Sequence, residues 1–534
     1  MAKRIGMGVR WSQLSKHMQG KFANVTKDQV VHSSNVIKTA FILPTATISR
    51  NILERYPEYR QIHEVKDFKE LFDPRFSMVE LDMKKDQLRA GSQVKVKVHL
   101  YNGYNQSMTR GGDLLNIWLR DVKGDSYVAG YVDDHMNGTY TGHVMAFWAG
   151  NVTIKVTVTS TKEGIGLYTN YVHKYGSYKF ISGTFSKNDK SEKTLCAPTN
   201  TRWLDRKYRG LCNLTKENYN ISLFCGKPDD IPCRNWVTYG WNESLFYDGY
   251  TKKILSHKDL LLKQIQVNIA PSSNGHLDYP LPKTPCNVLP RELTWNSTVP
   301  SGFTYRGIYY NLICQLTMNQ TKPQYRACLK DRQVISIGDS TTRQWYYRLL
   351  SILGFEIKAE NTFNKFVQIH NKTLGLDLEW QPHELPFHGV PGSDRKVIKS
   401  VAFRLDKIPA NSKAIVIIHW YAHIVRCCDH IALRQHVRNA KEAIVRLLAR
   451  SPDVKIFIKG PHLVTYFNAR KPYKFVGMFV EQVLLEEFSD LLDKLTYLDQ
   501  WDMSVAAENV NIHPENTMVN ISLNNLMNFA CNIP

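Results

Sequence analysis

The 534-residue chain is too long for one ordinary hydrophobic core, so its length predicts two or three domains. A mean hydropathy of −0.35 indicates a globular protein, and the absence of any run of about 18 apolar residues excludes a transmembrane segment. The net charge of +21 favours polyanionic partners. Because the Lys and Arg residues are scattered and no nucleic-acid-binding motif occurs, we expect an acidic glycan or glycoprotein as partner and no nucleic acid.

Residues 1–73 have no sustained hydrophobic period and are interpreted as a lead-in. Their start lacks the apolar core of a signal peptide, and Phe41–Pro44 is too short to supply one. Over residues 74–184, apolar and polar side chains alternate in short runs that are separated by turn signals such as Asn137-Gly138. The runs predicted as strands are 78–83, 93–100, 116–120, 127–132, 139–147 and 151–158. This pattern predicts an immunoglobulin-like β-sandwich.

Residues 185–300 lose this regularity while cysteines accumulate, and we interpret them as a Cys-rich connector. Four of the ten cysteines lie between Cys196 and Cys233 without a CxxC pair, which favours disulfides over zinc ligands. The pairing cannot be deduced from the spacing.

Glycosylation sequons of the form Asn-x-Ser/Thr are frequent along the chain. They begin at Asn24, Asn105, Asn137, Asn151, Asn213, Asn220, Asn242, Asn296, Asn319, Asn371 and Asn520. Together with the cysteines they predict a secretory-pathway protein, in the Golgi lumen or outside the cell. The alternative is a cytosolic protein whose sequons arose by chance.

Residues 301–534 alternate apolar strand runs with helical patterns. The predicted strands are 334–338, 414–418, 454–458 and 496–501, and helical spacing follows each of them. Alternating strands and helices predict a separate α/β domain with a parallel sheet that is covered on both faces.

Ser340 lies at the sharp turn between strand 334–338 and the helix that follows. A hydroxyl there stands at the carboxyl end of a strand and beside the free N–H groups of a starting helix, which can bind a developing oxyanion. A serine needs a base, and His513 is the candidate, with Asp502 or Asp499 as the carboxylate that orients its ring.

A second group of candidates follows strand 414–418, from His419 to His423, where an oxyanion or substrate group is expected. A metal cluster is an alternative for this region, but the usual CxxC spacing is missing and we predict no metal site. Its members would be His419, His423, Cys427, Cys428 and His430. Arg343, three residues after Ser340, could bind a carboxylate or phosphate.

These motifs resemble those of the neurexophilin and PC-esterase domain proteins, the NXPE family. Ile337-Gly-Asp-Ser-Thr-Thr-Arg-Gln-Trp345 is similar to that family's Gly-Asp-Ser-Thr-x-Arg-Gln-Trp motif, and 499–506, His513-Pro514 and 528–531 resemble its ending. The segment 74–180 looks like the family's neurexophilin-like sandwich. The resemblance implies an SGNH-hydrolase-type C-terminal domain.

The resemblance also implies a function, which is O-acetylation of sugar hydroxyls on secreted or cell-surface glycans, with sialic acids as acceptors. Acetyl-CoA would be the donor, with no bound cofactor, and an acyl-serine the intermediate. The alternatives are a glycan O-acetyl esterase and a catalytically inactive binding or adhesion glycoprotein.

Carried over by position, Ser340 is the nucleophile and its N–H an oxyanion donor, His513 is the base and Asp502 its orienter. Candidate oxyanion or substrate contacts are Gly338, Asp339, Arg343, Trp420 and His423. Two departures from the SGNH pattern stand out: position 510, where the orienting Asp is usual, is Val, and the Gly and Asn of the usual oxyanion hole are not evident in 420–423.

Overall fold

The computed structural model describes residues 53–61, 64–121, 123–178, 180–242, 249–255, 260–261, 264–272, 279–356, 366–384, 393–424, 430–464 and 473–531. All of them belong to one compact unit that spans Leu43–Pro534. The predicted sequon at Asn24 and the cysteines Cys427 and Cys428 lie outside the described residues.

The fold is mixed α/β, with three sheets of antiparallel strands and one that is mainly parallel. The strands of the first half are β1 (Met78–Leu81), β2 (Gln93–His99), β3 (Leu114–Asp121), β4 (Tyr127–Ala129), β5 (Tyr131–Asp134), β6 (Thr139–Met145), β7 (Gly150–Ser160), β8 (Phe180–Lys187), β9 (Lys190–Ala197), β10 (Leu211–Asn213), β11 (Phe224–Gly226), β12 (Trp236–Asn242), β13 (Leu260–Leu261) and β14 (Ile265–Ile269). Those of the second half are β15 (Gly302–Tyr305), β16 (Ile308–Asn311), β17 (Gln333–Gly338), β18 (Val367–Asn371), β19 (Leu376–Pro382), β20 (Ser393–Asp394), β21 (Ile415–Ile418), β22 (Lys455–Lys459) and β23 (Leu495–Leu498).

The α-helices lie mostly in the C-terminal part of the chain. They are α1 (Tyr56–Arg60), α2 (Lys162–Tyr175), α3 (Arg202–Lys207), α4 (Gly249–Leu255), α5 (Lys322–Leu329), α6 (Ser340–Leu353), α7 (Val401–Asp406), α8 (His430–Arg450), α9 (Tyr473–Glu487), α10 (Trp501–Ala506) and α11 (Asn516–Ala530).

Two of the antiparallel sheets enclose a common core. One has the order β1-β2-β6-β5, and the other has the order β13-β7-β3-β4-β15-β16 with β14 also paired to β7. Strand β2 shows why they pack, because Val94, Val96 and Val98 are buried while Lys95 and Lys97 on the opposite face are exposed. The core joins these valines to buried residues of β3, β7 and β15. Strands from 260–311 thus complete a sheet that the sequence pattern places within 74–184.

Five strands between residues 180 and 242 form a third antiparallel sheet with β20, in the order β10-β11-β9-β8-β12-β20. Disulfides Cys196–Cys225 and Cys212–Cys233 cross its core. Two further disulfides, Cys286–Cys314 and Cys328–Cys531, join the segments around the C-terminal sheet. Four disulfides are consistent with an extracellular or secretory-pathway protein. Among the described helices, none is long and apolar enough to cross a membrane.

The last sheet positions the candidate site. Its order is β18-β19-β17-β21-β22-β23, in which β18 is antiparallel and the other five strands are parallel. Counted in chain order, the parallel strands run 2-1-3-4-5, so the winding reverses between β17 and β21. Open α/β sheets bind ligands at this switch point, outside the carboxyl ends of the strands.

Both faces of this sheet are covered. On one face, Val334, Ile415 and Phe457 belong to the same core as residues of α5, α6 and α11. Because side chains alternate across a strand, Ile335 and Val416 point to the other face, and they too are buried. The polar residues that end these strands therefore gather at one edge.

Candidate active site

The turn after β17 presents Ser340 at the edge of the sheet. Strand β17 ends at Gly338, Asp339 is the N-cap residue of α6, and Ser340 is the first residue of the helix. A Cβ on Gly338 would lie 2.9 Å from Thr342 Oγ1 and 3.0 Å from the carbonyl oxygen of His419, so only glycine lets β17 and the loop after β21 approach this closely. The Ser340 N–H is one of the groups without a carbonyl partner within its helix.

The buried carboxylate of Asp339 fixes this turn through hydrogen bonds. One carboxylate oxygen accepts hydrogen bonds from the Thr341 N–H (2.8 Å) and hydroxyl (2.7 Å), and the other accepts from the Ala422 N–H (2.8 Å). Burial alone would raise the pKa of Asp339, but His419 and Lys459 hold that pKa well below its usual range. Asp339 is therefore ionised, and it joins the two loops at the switch point.

His513 meets the serine from the opposite side. Its Nε2 lies 2.6 Å from Ser340 Oγ, which is hydrogen-bonding distance for a nucleophile and its base. Desolvation of the ring lowers the pKa of His513 below its usual value, and the charge of Asp339 partly opposes this shift. At neutral pH the imidazole is therefore neutral and able to accept a proton.

The backbone on either side of His513 is held by two side chains. His462 Nε2 donates to the carbonyl of Ile512 (2.9 Å), and Gln344 Nε2 donates to the carbonyl of Pro514 (2.5 Å). These bonds attach the loop to the segment after β22 and to α6, which also carries Ser340. These two hydrogen bonds to the main chain therefore fix the position of the base, His513.

Among the described residues, no hydrogen bond or ion pair joins Asp502 or Asp499 to His513. Asp502, buried on α10, accepts a hydrogen bond from the Ser301 N–H (3.0 Å), and Asp499 accepts from the Trp501 N–H (2.8 Å). Within the described part of the chain, no carboxylate forms an ion pair with His513, and the carboxylate that raises its pKa is Asp339. The orienting role predicted for Asp502 is therefore not visible in the geometry.

Of the other candidates, Arg343 and His423 lie near the turn, whereas Trp420 does not face a possible substrate. Arg343 is half-buried, lies 5.4 Å over the ring of Trp380, and its charge lowers the pKa of His513. His423 Nδ1 is 2.8 Å from His383 Nε2 behind the turn. The ring of Trp420, by contrast, is fully buried near Phe488 and cannot contact a substrate there.

Several polar residues at this edge of the sheet were not predicted as site residues from the sequence. They are His383, His462, Gln344 and Lys459, of which Lys459 is the last residue of β22 and 2% exposed. A charged residue directly after the apolar run 454–458 was the available signal, since it falls at the carboxyl end of a strand. In the described segments, no group of three His, Cys, Asp or Glu residues is arranged to hold a metal ion.

Comparison with known proteins bears on this region. Residues 309–531 match the family model described as "NXPE family member 4-like, C-terminal domain". This match supports an NXPE family protein. The match begins in β16 and ends at Cys531, so it contains the whole parallel sheet, Ser340 and His513.

A solved carbohydrate esterase of family two from Cellvibrio japonicus is also similar, at 8% identity over 85% of this chain and 98% of that chain, with a TM-score of 0.20. A similarity this low carries no argument about the site.

Proposed function

We propose that this NXPE chain is a serine-dependent O-acetyltransferase that acts on sugar hydroxyls of glycoproteins, with sialic acids as acceptors and acetyl-CoA as donor. The observation that carries the proposal is the 2.6 Å contact between Ser340 Oγ and His513 Nε2 at the switch point of a parallel sheet. The choice of a glycan as acceptor and of an acetyl group as the group transferred comes from the family resemblance.

The reaction proceeds through two acyl transfers. Ser340 Oγ attacks the carbonyl carbon of the acetyl thioester while His513 Nε2 takes the hydroxyl proton. The C–S bond breaks, and the thiolate leaves with that proton as coenzyme A thiol, so that an acetyl ester remains on Ser340. A sugar hydroxyl then attacks this ester, His513 takes its proton, and the proton returns to Ser340 Oγ as the O-acetyl sugar leaves.

The surrounding residues suit these steps. A neutral His513 is required at the start, and its lowered pKa provides it at neutral pH. The Ser340 N–H at the start of α6 is positioned for the oxyanion that forms on the acetyl carbonyl. Arg343, one helical turn from Ser340, and the net charge of +21 favour an acidic sugar.

The test compares wild type with Ser340→Ala and His513→Ala, all expressed through a secretory host. Each protein is incubated with acetyl-CoA and sialylated glycans, and sugar O-acetylation is read by mass spectrometry. We expect both substitutions to lower acetylation about 10³-fold or more. Ser351→Ala, which removes an exposed hydroxyl from the same helix, serves as the control and should match wild type.

The other outcomes point to different functions. Release of acetate from O-acetylated glycans, lost with Ser340→Ala and without transfer from acetyl-CoA, would indicate an esterase in which water takes the place of the sugar. Equal acetylation by folded wild-type and Ser340→Ala proteins would refute the acyl-serine mechanism and leave the binding-protein alternative.

A further inference from the structure

A buried ammonium lies under the first turn of α6. Lys459 ends β22, two strands away from β17 in the sheet, and is 2% exposed. An ammonium group removed from water is costly unless its N–H groups are satisfied and a countercharge is near. The surroundings of Lys459 meet both conditions, and they connect it to the nucleophile turn.

Each partner of the ammonium belongs to the site. Lys459 Nζ donates to Thr341 Oγ1 (2.9 Å) and lies 3.2 Å from His419 Nε2. It also lies 5.2 Å over the ring of Trp345, on the same helix as Ser340, where a cation–π contact is favourable. Two of these three partners are residues of α6.

The direction of the hydrogen bonds follows from the chemistry of the groups. An ammonium only donates, so the Thr341 hydroxyl accepts from Lys459 and must use its own proton for the bond to Asp339 (2.7 Å). The chain from ammonium to hydroxyl to carboxylate ends on the residue that caps the helix at Ser340. A charged lysine therefore fixes the orientation of the whole turn.

His419 is held in one tautomer by the same residue. Its Nδ1 is 2.8 Å from the carbonyl oxygen of Lys459, which only accepts, so Nδ1 carries the proton and Nε2 accepts from the ammonium. Burial and the neighbouring Lys459 lower the pKa of His419 to about 3, so this ring is neutral at pH 7. The countercharge of the Asp339 carboxylate is then the ammonium.

We propose that Lys459 is a positioning residue for Ser340, whose ammonium orients the turn formed by Asp339, Ser340 and Thr341 and balances the Asp339 charge beneath the nucleophile. The inference rests on the proposed function, since it takes Ser340 as the nucleophile. It adds to that function a charged group that contacts neither the acetyl donor nor the acceptor sugar.

Loss of this charge gives the proposal a pH signature. Burial lowers the pKa of Lys459 to about 8, while Asp339 opposes the shift. The titratable groups that face the ammonium are Asp339, His419, His462 and His513, and of these only His513 exchanges its proton with Ser340. The reactivity of Ser340 is thus expected to fall as the pH rises through about 8.

The experiment measures the rate at which a fluorophosphonate probe labels the full-length protein from about pH 5 to about pH 10, a range over which the groups of the site change protonation. This readout needs neither acetyl-CoA nor a glycan. The variants are Lys459→Met, which keeps the apolar stem, and Lys459→Arg, which keeps the charge. Lys455→Met is the matched control, because Lys455 begins the same strand and donates to the Ala530 carbonyl (2.7 Å), away from the turn.

For wild type we expect labelling of Ser340 that declines above about pH 8. Lys459→Met should label roughly 10- to 100-fold more slowly at pH 7 without that decline. Lys459→Arg should retain more of the wild-type rate and also lose the decline, and Lys455→Met should behave as wild type. Thermal melting at each pH shows that every protein compared is folded.

Two results would overturn the inference. If wild type labels at Ser340 with no decline between pH 7 and pH 10, or if Lys459→Met labels at the wild-type rate, Lys459 has no positioning role although the nucleophile stands. If the wild-type protein labels no faster than Ser340→Ala, the proposed nucleophile fails and the inference fails with it. The wild-type profile decides the question even where Lys459→Met does not fold.

Discussion

Replacing the buried carboxylate of Asp339 by an amide tests the electrostatic design of the site most directly. Asp339→Asn keeps the size of the side chain but turns one acceptor into a donor. The amide oxygen can still accept both bonds from Thr341, which leaves the amide NH₂ facing the Ala422 N–H. An unsatisfied buried donor costs about 1–3 kcal/mol, and a buried ammonium that loses its partner costs about 3–5 kcal/mol.

Lys459 limits this cost because it can give up its proton. Its pKa is already lowered to about 8, and removing the Asp339 charge lowers it further. We therefore expect a loss of about 3–5 kcal/mol in the free energy of unfolding, since the two costs do not add in full. We also expect Ser340 labelling to slow about 100-fold, because the turn loses its fixed orientation.

The assay pairs fluorophosphonate labelling with thermal melting of Asp339→Asn and Asp502→Asn. Asp502 is also buried and accepts from the Ser301 N–H, so its amide should cost about 1–3 kcal/mol of stability and leave the labelling rate within about threefold of wild type. The reasoning is refuted if the folded Asp502→Asn protein loses labelling while Asp339→Asn labels as wild type does. That result would restore Asp502 as the orienting acid.

Three further expectations follow from the structure. Labelling of Ser340 should fall on acidification with a midpoint below pH 6.5, because the lowered pKa keeps His513 neutral until lower pH; a pH–rate profile with a midpoint above 6.5 would contradict this. Glycopeptide mass spectrometry should find a glycan on exposed Asn213 and none on Asn520, whose side-chain oxygen accepts from Arg348 Nε (2.6 Å); full occupancy at Asn520 would be the wrong result. Replacing Cys328 and Cys531 together by Ala should lower stability by about 3–5 kcal/mol, since their bond closes a loop with a sequence separation of 203 residues; an unchanged denaturation midpoint would argue against it.

Local sequence pattern was enough to find the nucleophile turn. The strand predicted at 334–338 is observed as Gln333–Gly338, and the helix begins at Ser340. Strand, glycine, cap and helix are encoded within about ten residues by short-range preferences, so little depends on distant parts of the chain. The NXPE family, predicted from the motifs, is confirmed by the match over 309–531.

The sandwich shows where local pattern stops being informative. Alternation revealed the strands between 78 and 160, but β14 and β15 come from beyond residue 260 and complete the second sheet. Strand pairing over such distances is decided by which faces can be buried together, and nothing in a five-residue run states its partner. The same holds for the disulfide pairs.

The sequence by itself determined the position of Ser340 on a strand-to-helix turn, the parallel sheet of the last third and the family. Only the tertiary structure decided which distant groups reach that turn. It places His513 at the serine, directs Asp502 to the Ser301 backbone and buries Lys459 under Thr341. These choices depend on distances between residues more than a hundred positions apart and on the cost of leaving a buried charge without a partner, which no local pattern records.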